Sequence, residues 1–262
     1  WTLTTVYASN VLPSDFQVYL PEVPKVWFGF NQYGPVDQTA RRGRIRYGWT
    51  TDRDQQMEHF IRCIDDTPEA VLYFGHFLLP HAPYCVFPDG QRYAPDSFDM
   101  ALGCLADGTA TQDDLGLIQS QQRYLMQLMY LDQVVGQVVQ RLKSQGIYDN
   151  SLLIVTADHG VSFRLGCNRR ELDEGNTSDI VRIPLFVKLP HQHQGRIQDE
   201  IVQSTDILPT ILETIGAHPR PPADGISLQD PRITGRTEAI IFNHDTHIPV
   251  SLHQLSRTDL PQ

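Results

Sequence analysis

Apolar positions along this 262-residue chain form short runs and helical stripes, separated by loops rich in Pro and Gly. From Gln112 to Gln145, residues Leu117, Tyr124, Leu128, Leu131, Val135, Val138 and Leu142 recur at three- and four-residue steps, the period of an amphipathic helix. Thr111 with Asp114 resembles a capping box at its start, and Gly146 stands where a left-handed C-terminal cap is expected. The glutamines of this helix, with Met126 and Met129, read as solvated face and core filler. Thr51 to Ile64 predicts a second helix, with Phe60, Ile61 and Ile64 on one side and acids and arginines on the other. Asp206 is placed to cap a short helix, Ile207 to Ile215, that tolerates Pro209 in its first turn and stops at Gly216.

The strand signals fall between these helices. Val71 to Phe77 is β-branched and aromatic and runs into a rigid turn, Leu79-Pro80-His81-Ala82-Pro83-Tyr84. Leu152 to Thr156 predicts a buried parallel strand ending on Asp158, His159 and Gly160. Ile183 to Leu189 predicts another, closed by Pro190, and Ala239 to Asn243 a last one. Residues 85–111 read as a long surface excursion, residues 1–20 are ambiguous, and the tail from His244 has no usable pattern. The alternation predicts an α/β fold with a mainly parallel sheet flanked by helices.

Composition narrows the partners. Thirty-one acids against 21 Lys and Arg give a net charge of -10, which argues against nucleic acid and for small-molecule or carbohydrate chemistry. Apolar stretches of about five residues fall far short of the roughly 20 needed to span a membrane. The chain opens at Trp1 with neither an initiating Met nor a basic signal region, and the expectation is a piece of a longer protein. Cys63, Cys85, Cys104 and Cys167 form no Cys-x-x-Cys pair. Cys85 and Cys104 flank the long excursion, so a bridge and buried free thiols both stay open.

Candidate chemistry concentrates at the end of the strand before Gly160. A carboxylate beside an imidazole, Asp158-His159, suits a divalent ion, and ligands in open α/β sheets gather at strand carboxyl ends. The dipeptide alone serves equally as a helix cap and a surface hydrogen bond. Downstream, Arg164, Arg169 and Arg170 stand in a Gly-rich loop, followed by Glu171, Asp173, Glu174 and Asp179. Guanidinium forks there suit a tetrahedral oxyanion, and a solvated mixed-charge loop explains them as well. His81 sits between two prolines, either as a functional group or as part of a rigid turn. His191, His193, His244, His247 and His253 read as exposed rather than ligating.

Four blocks carry a family resemblance: Thr156-Ala157-Asp158-His159-Gly160, Leu79-Pro80-His81-Ala82-Pro83-Tyr84, Arg182-Ile183-Pro184-Leu185-Phe186-Val187-Lys188 and Ser204-Thr205-Asp206-Ile207-Leu208-Pro209-Thr210. Their order and spacing resemble the sulfatase family of the alkaline phosphatase superfamily, over roughly residues 68–228, and look closest to bacterial membrane-anchored sulfatase-like proteins. Val36-Asp37-Gln38-Thr39, and Phe163-Arg164 with Arg169-Arg170, also look like features of that subgroup. The resemblance implies an alkaline-phosphatase-like α/β fold and makes Asp158 and His159 metal ligands, His81 the histidine at the ester oxygens or leaving group, and Arg164, Arg169 and Arg170 oxyanion contacts. Many sulfatases carry Asn where His159 stands, and His there is similar to the phospho-headgroup transferases and phosphodiesterases of the superfamily.

The family's nucleophile motif, Cys/Ser-x-Pro/Ala-x-Arg, does not occur in this chain, and Val26 to Phe30 ends on Asn31 rather than on a metal-binding acid. The expectation is therefore the C-terminal portion of a catalytic domain, inactive as an isolated piece. Residues 1–67 form a partly helical N-terminal segment, 68–230 the sulfatase-like portion, and 231–262 a C-terminal strand and tail. The implied function is metal-dependent hydrolysis of sulfate or phosphate esters of small molecules or glycans, with one divalent ion (Ca, Mg, Mn or Zn), outside the cytoplasm and tied to a membrane only through segments beyond this chain. Transfer of a phospho-headgroup fits the same residues. A non-catalytic sulfatase-like domain that binds glycans or a partner protein fits the missing motif.

Overall fold

A computed structural model describes residues 53–92, 114–173, 175–218, 223–243 and 246–251. Readings of residues 1–20, Val26 to Asn31, Val36 to Thr39, Cys104, Thr111, Glu174, His244 and His253 lie outside the described residues. The first helix, α1 (Arg53–Cys63), and the long α2 (Asp114–Ser144) pack against each other around Met57, Leu79 and Val134, with Ile61, Phe77, Tyr130 and Leu131 alongside. Phe60 meets Phe77 edge to face at 5.2 Å. Ile64 is buried, as its place on the apolar side of α1 predicts.

Both expected glycine stops are present. Gly146 has φ 73°, its N–H donates to Lys143 O, and Ile147 N–H reaches back to Leu142 O. This crossed pair uses carbonyls that the helix end would otherwise leave orphaned, in a conformation glycine enters without a Cβ clash. The same pair recurs at Gly216, φ 69°, where Gly216 and Ala217 donate to Glu213 and Leu212 at the end of α4 (Ile207–Thr214).

The sheet departs from expectation. Strand β1 (Leu153–Thr156) pairs antiparallel with β2 (Leu185–Lys188), Leu153 opposite Lys188 and Thr156 opposite Leu185. A parallel partner would need a crossover returning the chain to the opposite end of β1. Instead the connection, which holds only the five-residue α3 (Thr177–Val181), comes back to the end it left. At the other end of the pair Lys188 secures β2 by donating to the carbonyls of Tyr148, Asp149 and Ser151, just before β1. A second antiparallel pair, β3 (Glu238–Asn243) with β4 (Thr246–Ser251), extends the expected last strand into a hairpin and takes in part of the tail that showed no pattern. Among the described residues no parallel ladder is formed.

Residues 71–77 carry no ladder among the described residues, contrary to the strand expected there. Tyr73 bonds Asp65 and Phe77 packs on Phe60, while Val71, Leu72 and Phe74 are exposed. The apolar signal was real, but these three side chains find no covering layer in the described structure.

A 3-10 turn, Ser204–Asp206, leads into α4. Asp206 was expected as a simple helix cap. It is instead the acid of a capping box with Gln203, fully buried, and gripped by both nitrogens of Arg236 at 2.5 and 2.9 Å. Ile226 N–H donates to Asp206 Oδ1, and Thr210 ties the turn to Leu228. Gly225, φ 88°, closes this lock, because a Cβ there would lie 2.4 Å from Thr205 O.

Candidate active site

The end of β1 delivers Asp158 and His159 into a turn fixed by Gly160. Gly160 N–H donates to Ile180 O at 2.7 Å, and a Cβ on Gly160 would fall 1.9 Å from Asp179 O. Only glycine leaves room for this approach. Asp158 Oδ1 accepts the His159 N–H at 2.9 Å, and Oδ2 stands 3.8 Å from His159 Nε2. Asp158 is exposed, and its neighbour is partly buried.

Each of the three arginines has a different environment. Arg164 forks onto Asp179 at 2.8 and 3.3 Å, where Ser162 also donates. Arg169 is buried, donating to Tyr84 OH at 3.1 Å and Ser120 Oγ at 3.4 Å, with its guanidinium 4.9 Å from the Phe163 ring centroid. Such cation–aromatic contact offsets part of the cost of burying the charge. Tyr84, Tyr124 and Phe163 pack as one aromatic group, so Arg169 joins the His81 turn, α2 and the loop after His159. Arg170 alone of the three is exposed, and it donates to His159 Nε2 at 3.1 Å. The loop between is held by the fully buried Asn176, whose amide donates to Asn168 O and Glu171 O and accepts Asp173 N–H.

His81 sits on a turn whose prolines, Pro80 and Pro83, both follow cis peptide bonds and supply no N–H donors. Side chains from elsewhere satisfy it. Arg53 donates to His81 O and Ala82 O at 2.8 and 3.0 Å, and Gln127 donates to Pro80 O and His81 O while accepting Cys85 N–H. Gln127 is completely buried, which corrects its assignment to a solvated face. Its place was legible: it lies three residues from Tyr124 and four from Leu131, inside the apolar stripe, whereas Leu128 is 38% exposed. Arg53, expected on the polar side of α1, is likewise buried.

His81 Nδ1 donates to Ala82 O at 2.5 Å. Burial pulls the imidazole below its ordinary 6.5, the Ala82 carbonyl opposes this in part, and the positive charges of Arg170 and Arg53 add to the lowering. The Arg170 guanidinium thus acts on the His81 imidazole through space. In an imidazole NMR titration its midpoint is expected below 6.5, moving upward when sulfate or phosphate binds; a midpoint above 6.5 without anion contradicts this geometry.

A carboxylate oxygen and an imidazole nitrogen 3.8 Å apart fit two positions of one divalent ion's shell. They are two donors only: among the described residues no group of three or more His, Cys, Asp or Glu is placed to hold a metal. Cys85 is buried, and burial together with Asp173 pushes the Cys167 thiol upward. Among the described residues no helix is long and apolar enough to cross a membrane.

Comparison with known proteins supplies the lineage. The endo-4-O-sulfatase of Bacteroides thetaiotaomicron is 28% identical over 140 residues, covering 52% of this chain and 27% of that protein. The multifunctional alkaline phosphatase superfamily protein PehA of Trinickia caryophylli is 34% identical over 126 residues, 47% of this chain and 24% of the relative. Lipoteichoic acid synthase of Staphylococcus aureus is 29% identical over 99 residues, 36% and 15%. The matched part thus spans about a quarter or less of each relative's length. The sulfatase family model matches residues 12–217, well over half the chain, with the Asp158 turn, the His81 turn and the β2 block inside it, and the α/β fold is that of the alkaline phosphatase superfamily. The chain belongs to the sulfatase family.

Proposed function

We propose that this chain carries part of the active site of a metal-dependent hydrolase of sulfate or phosphate esters. The observation that carries this reading is the Asp158–His159 pair at the end of β1, with Arg170 bonded to it and His81 in the field of that guanidinium. Asp158 Oδ2 and His159 Nε2 would hold a divalent ion, which when bound withdraws charge from ester oxygens and favours an oxyanion nucleophile. Arg170 would take the oxyanion of the substrate. His81, with its Nδ1 proton committed to Ala82 O, presents Nε2 to the ester or leaving oxygen; an approaching dianion raises its proton affinity, which suits it to protonate a departing alkoxide. Arg164 on Asp179, and Arg169 on Tyr84 and Phe163, would hold the loop and the His81 turn in register behind Arg170. Family resemblance supports action outside the cytoplasm on a small-molecule or glycan ester. Phospho-headgroup transfer is the second reading, favoured by His159 in place of Asn and by a lipoteichoic acid synthase among the relatives.

The test is an assay of the natively expressed protein on aryl sulfate, phosphate monoester and phosphate diester, with and without chelator. Chelator-sensitive turnover of at least one ester is expected, with His81→Gln lowering kcat about 100-fold or more. Turnover that survives metal removal, or turnover of none of the three, overturns the proposal. Product analysis with a glycan acceptor separates transfer from hydrolysis.

A further inference from the structure

Arg170 reaches His159 from a loop whose own bonds are satisfied. Asn168 Oδ1 accepts the N–H groups of both Arg170 and Glu171, Asp173 Oδ2 accepts Asn168 N–H, and Asn176 fixes the rest. These bonds fix the backbone from which the Arg170 side chain extends to the imidazole. A guanidinium only donates, so its 3.1 Å contact makes His159 Nε2 the acceptor. The ring proton is then on Nδ1, where it donates to Gly160 O at 2.7 Å. A backbone carbonyl on one nitrogen and an outward lone pair on the other is how a metal-ligating imidazole is oriented. Here that lone pair is taken by Arg170, and one lone pair cannot serve both an N–H and a cation.

We propose that Arg170 is a displaceable plug on the metal position, coupling metal loading to oxyanion binding. The inference rests on the assignment of Asp158 and His159 as metal ligands. Arg170 leaves Nε2 before that nitrogen binds an ion, and its guanidinium, which already acts on His81 through space, becomes available to an ester oxyanion. An oxyanion that engages Arg170 frees Nε2, and an ion on Nε2 frees Arg170. Each therefore raises the affinity of the other by the same factor, as linkage requires.

The experiment is a Mn2+ titration of the natively expressed protein, read by the EPR signal of free Mn2+, with sulfate or with chloride at matched ionic strength. Wild type, Arg170→Met, Arg170→Lys and Asp158→Ala are compared, with circular dichroism as the check on folding. Sulfate is expected to tighten Mn2+ binding in the wild type. Arg170→Met is expected to bind Mn2+ about tenfold tighter than wild type without sulfate, the scale of one charge-assisted hydrogen bond, and to lose the sulfate response. Arg170→Lys, which keeps the charge but not the planar fork, falls between. Equal or weaker Mn2+ binding by Arg170→Met, or a sulfate response undiminished in it, overturns the plug while Asp158→Ala still loses the ion. If Asp158→Ala binds Mn2+ as wild type does, the metal assignment itself falls, and the plug with it.

Discussion

Replacing Asp158 with alanine is expected to lower divalent-metal affinity by more than about 100-fold, beyond what loss of an outer-shell partner costs, while leaving thermal stability unchanged. The two readouts separate because of where the carboxylate sits. Asp158 is 68% exposed on its side chain, accepts one local N–H from His159, and lies 3.8 Å from an imidazole that solvent also reaches. Removing an exposed group with one local bond shifts stability by about 0.5 kcal/mol or less. A purely structural carboxylate predicts the reverse, a lowered melting temperature with metal content retained. Isothermal titration with Mn2+ beside a melting curve decides between them, and full metal stoichiometry in the variant removes Asp158 from the site.

Asp206→Ala is expected to have the opposite profile, a loss of about 3–5 kcal/mol of stability, or on the order of 10 °C in melting temperature, with no direct effect on metal affinity. Asp206 is fully buried, and Arg236, with its side chain 12% exposed, has both nitrogens committed to it. Removing the carboxylate leaves a nearly buried cation and the N–H groups of Gln203 and Ile226 without an acceptor. Burial pushes the Asp206 carboxyl up, but Arg236 and the two backbone N–H groups outweigh it and hold the group below its ordinary 3.8. A depressed folded-state value means the stabilisation is complete above 3.8 and is lost as pH falls through the folded-state value. The gap between wild type and variant in chemical denaturation is thus full at neutral pH and closes in acid. A gap that is constant with pH contradicts the ion pair as its source.

Local periodicity and punctuation were legible in the sequence. The helices α1 and α2 came from their apolar stripes and α4 from the Asp206 and Gly216 that bound it, because such signals are set within a few turns of chain. Pairing was not legible, since an apolar run such as Leu152 to Thr156 looks the same beside a parallel or an antiparallel neighbour. What decides it is the path of residues 157–184, fixed by Gly160 against Ile180 O and by Arg164 on Asp179. The chemistry of the Asp158 turn was visible as residue types, but the division of labour among three arginines was not. Arg164, Arg169 and Arg170 are chemically identical in sequence, and only their partners in space distinguish an ion pair, an aromatic seat and an exposed donor on His159. Gln127 and Arg53 were missed for a related reason: polar residues default to the surface, and the unsatisfied carbonyls that draw them inward belong to a turn distant in the chain.

The grip on the His81 turn also sets how that turn fluctuates. Three consecutive carbonyls, at residues 80, 81 and 82, are bonded by side chains from two helices that pack on each other. Opening the turn breaks bonds on both sides at once, so its exchange with solvent follows the parting of α1 from α2 rather than the faster breathing of an ordinary surface loop. The imidazole of His81 consequently shares the lifetime of the helix pair, and a core substitution at Met57 or Val134 would register first as a change in how long that ring stays aimed.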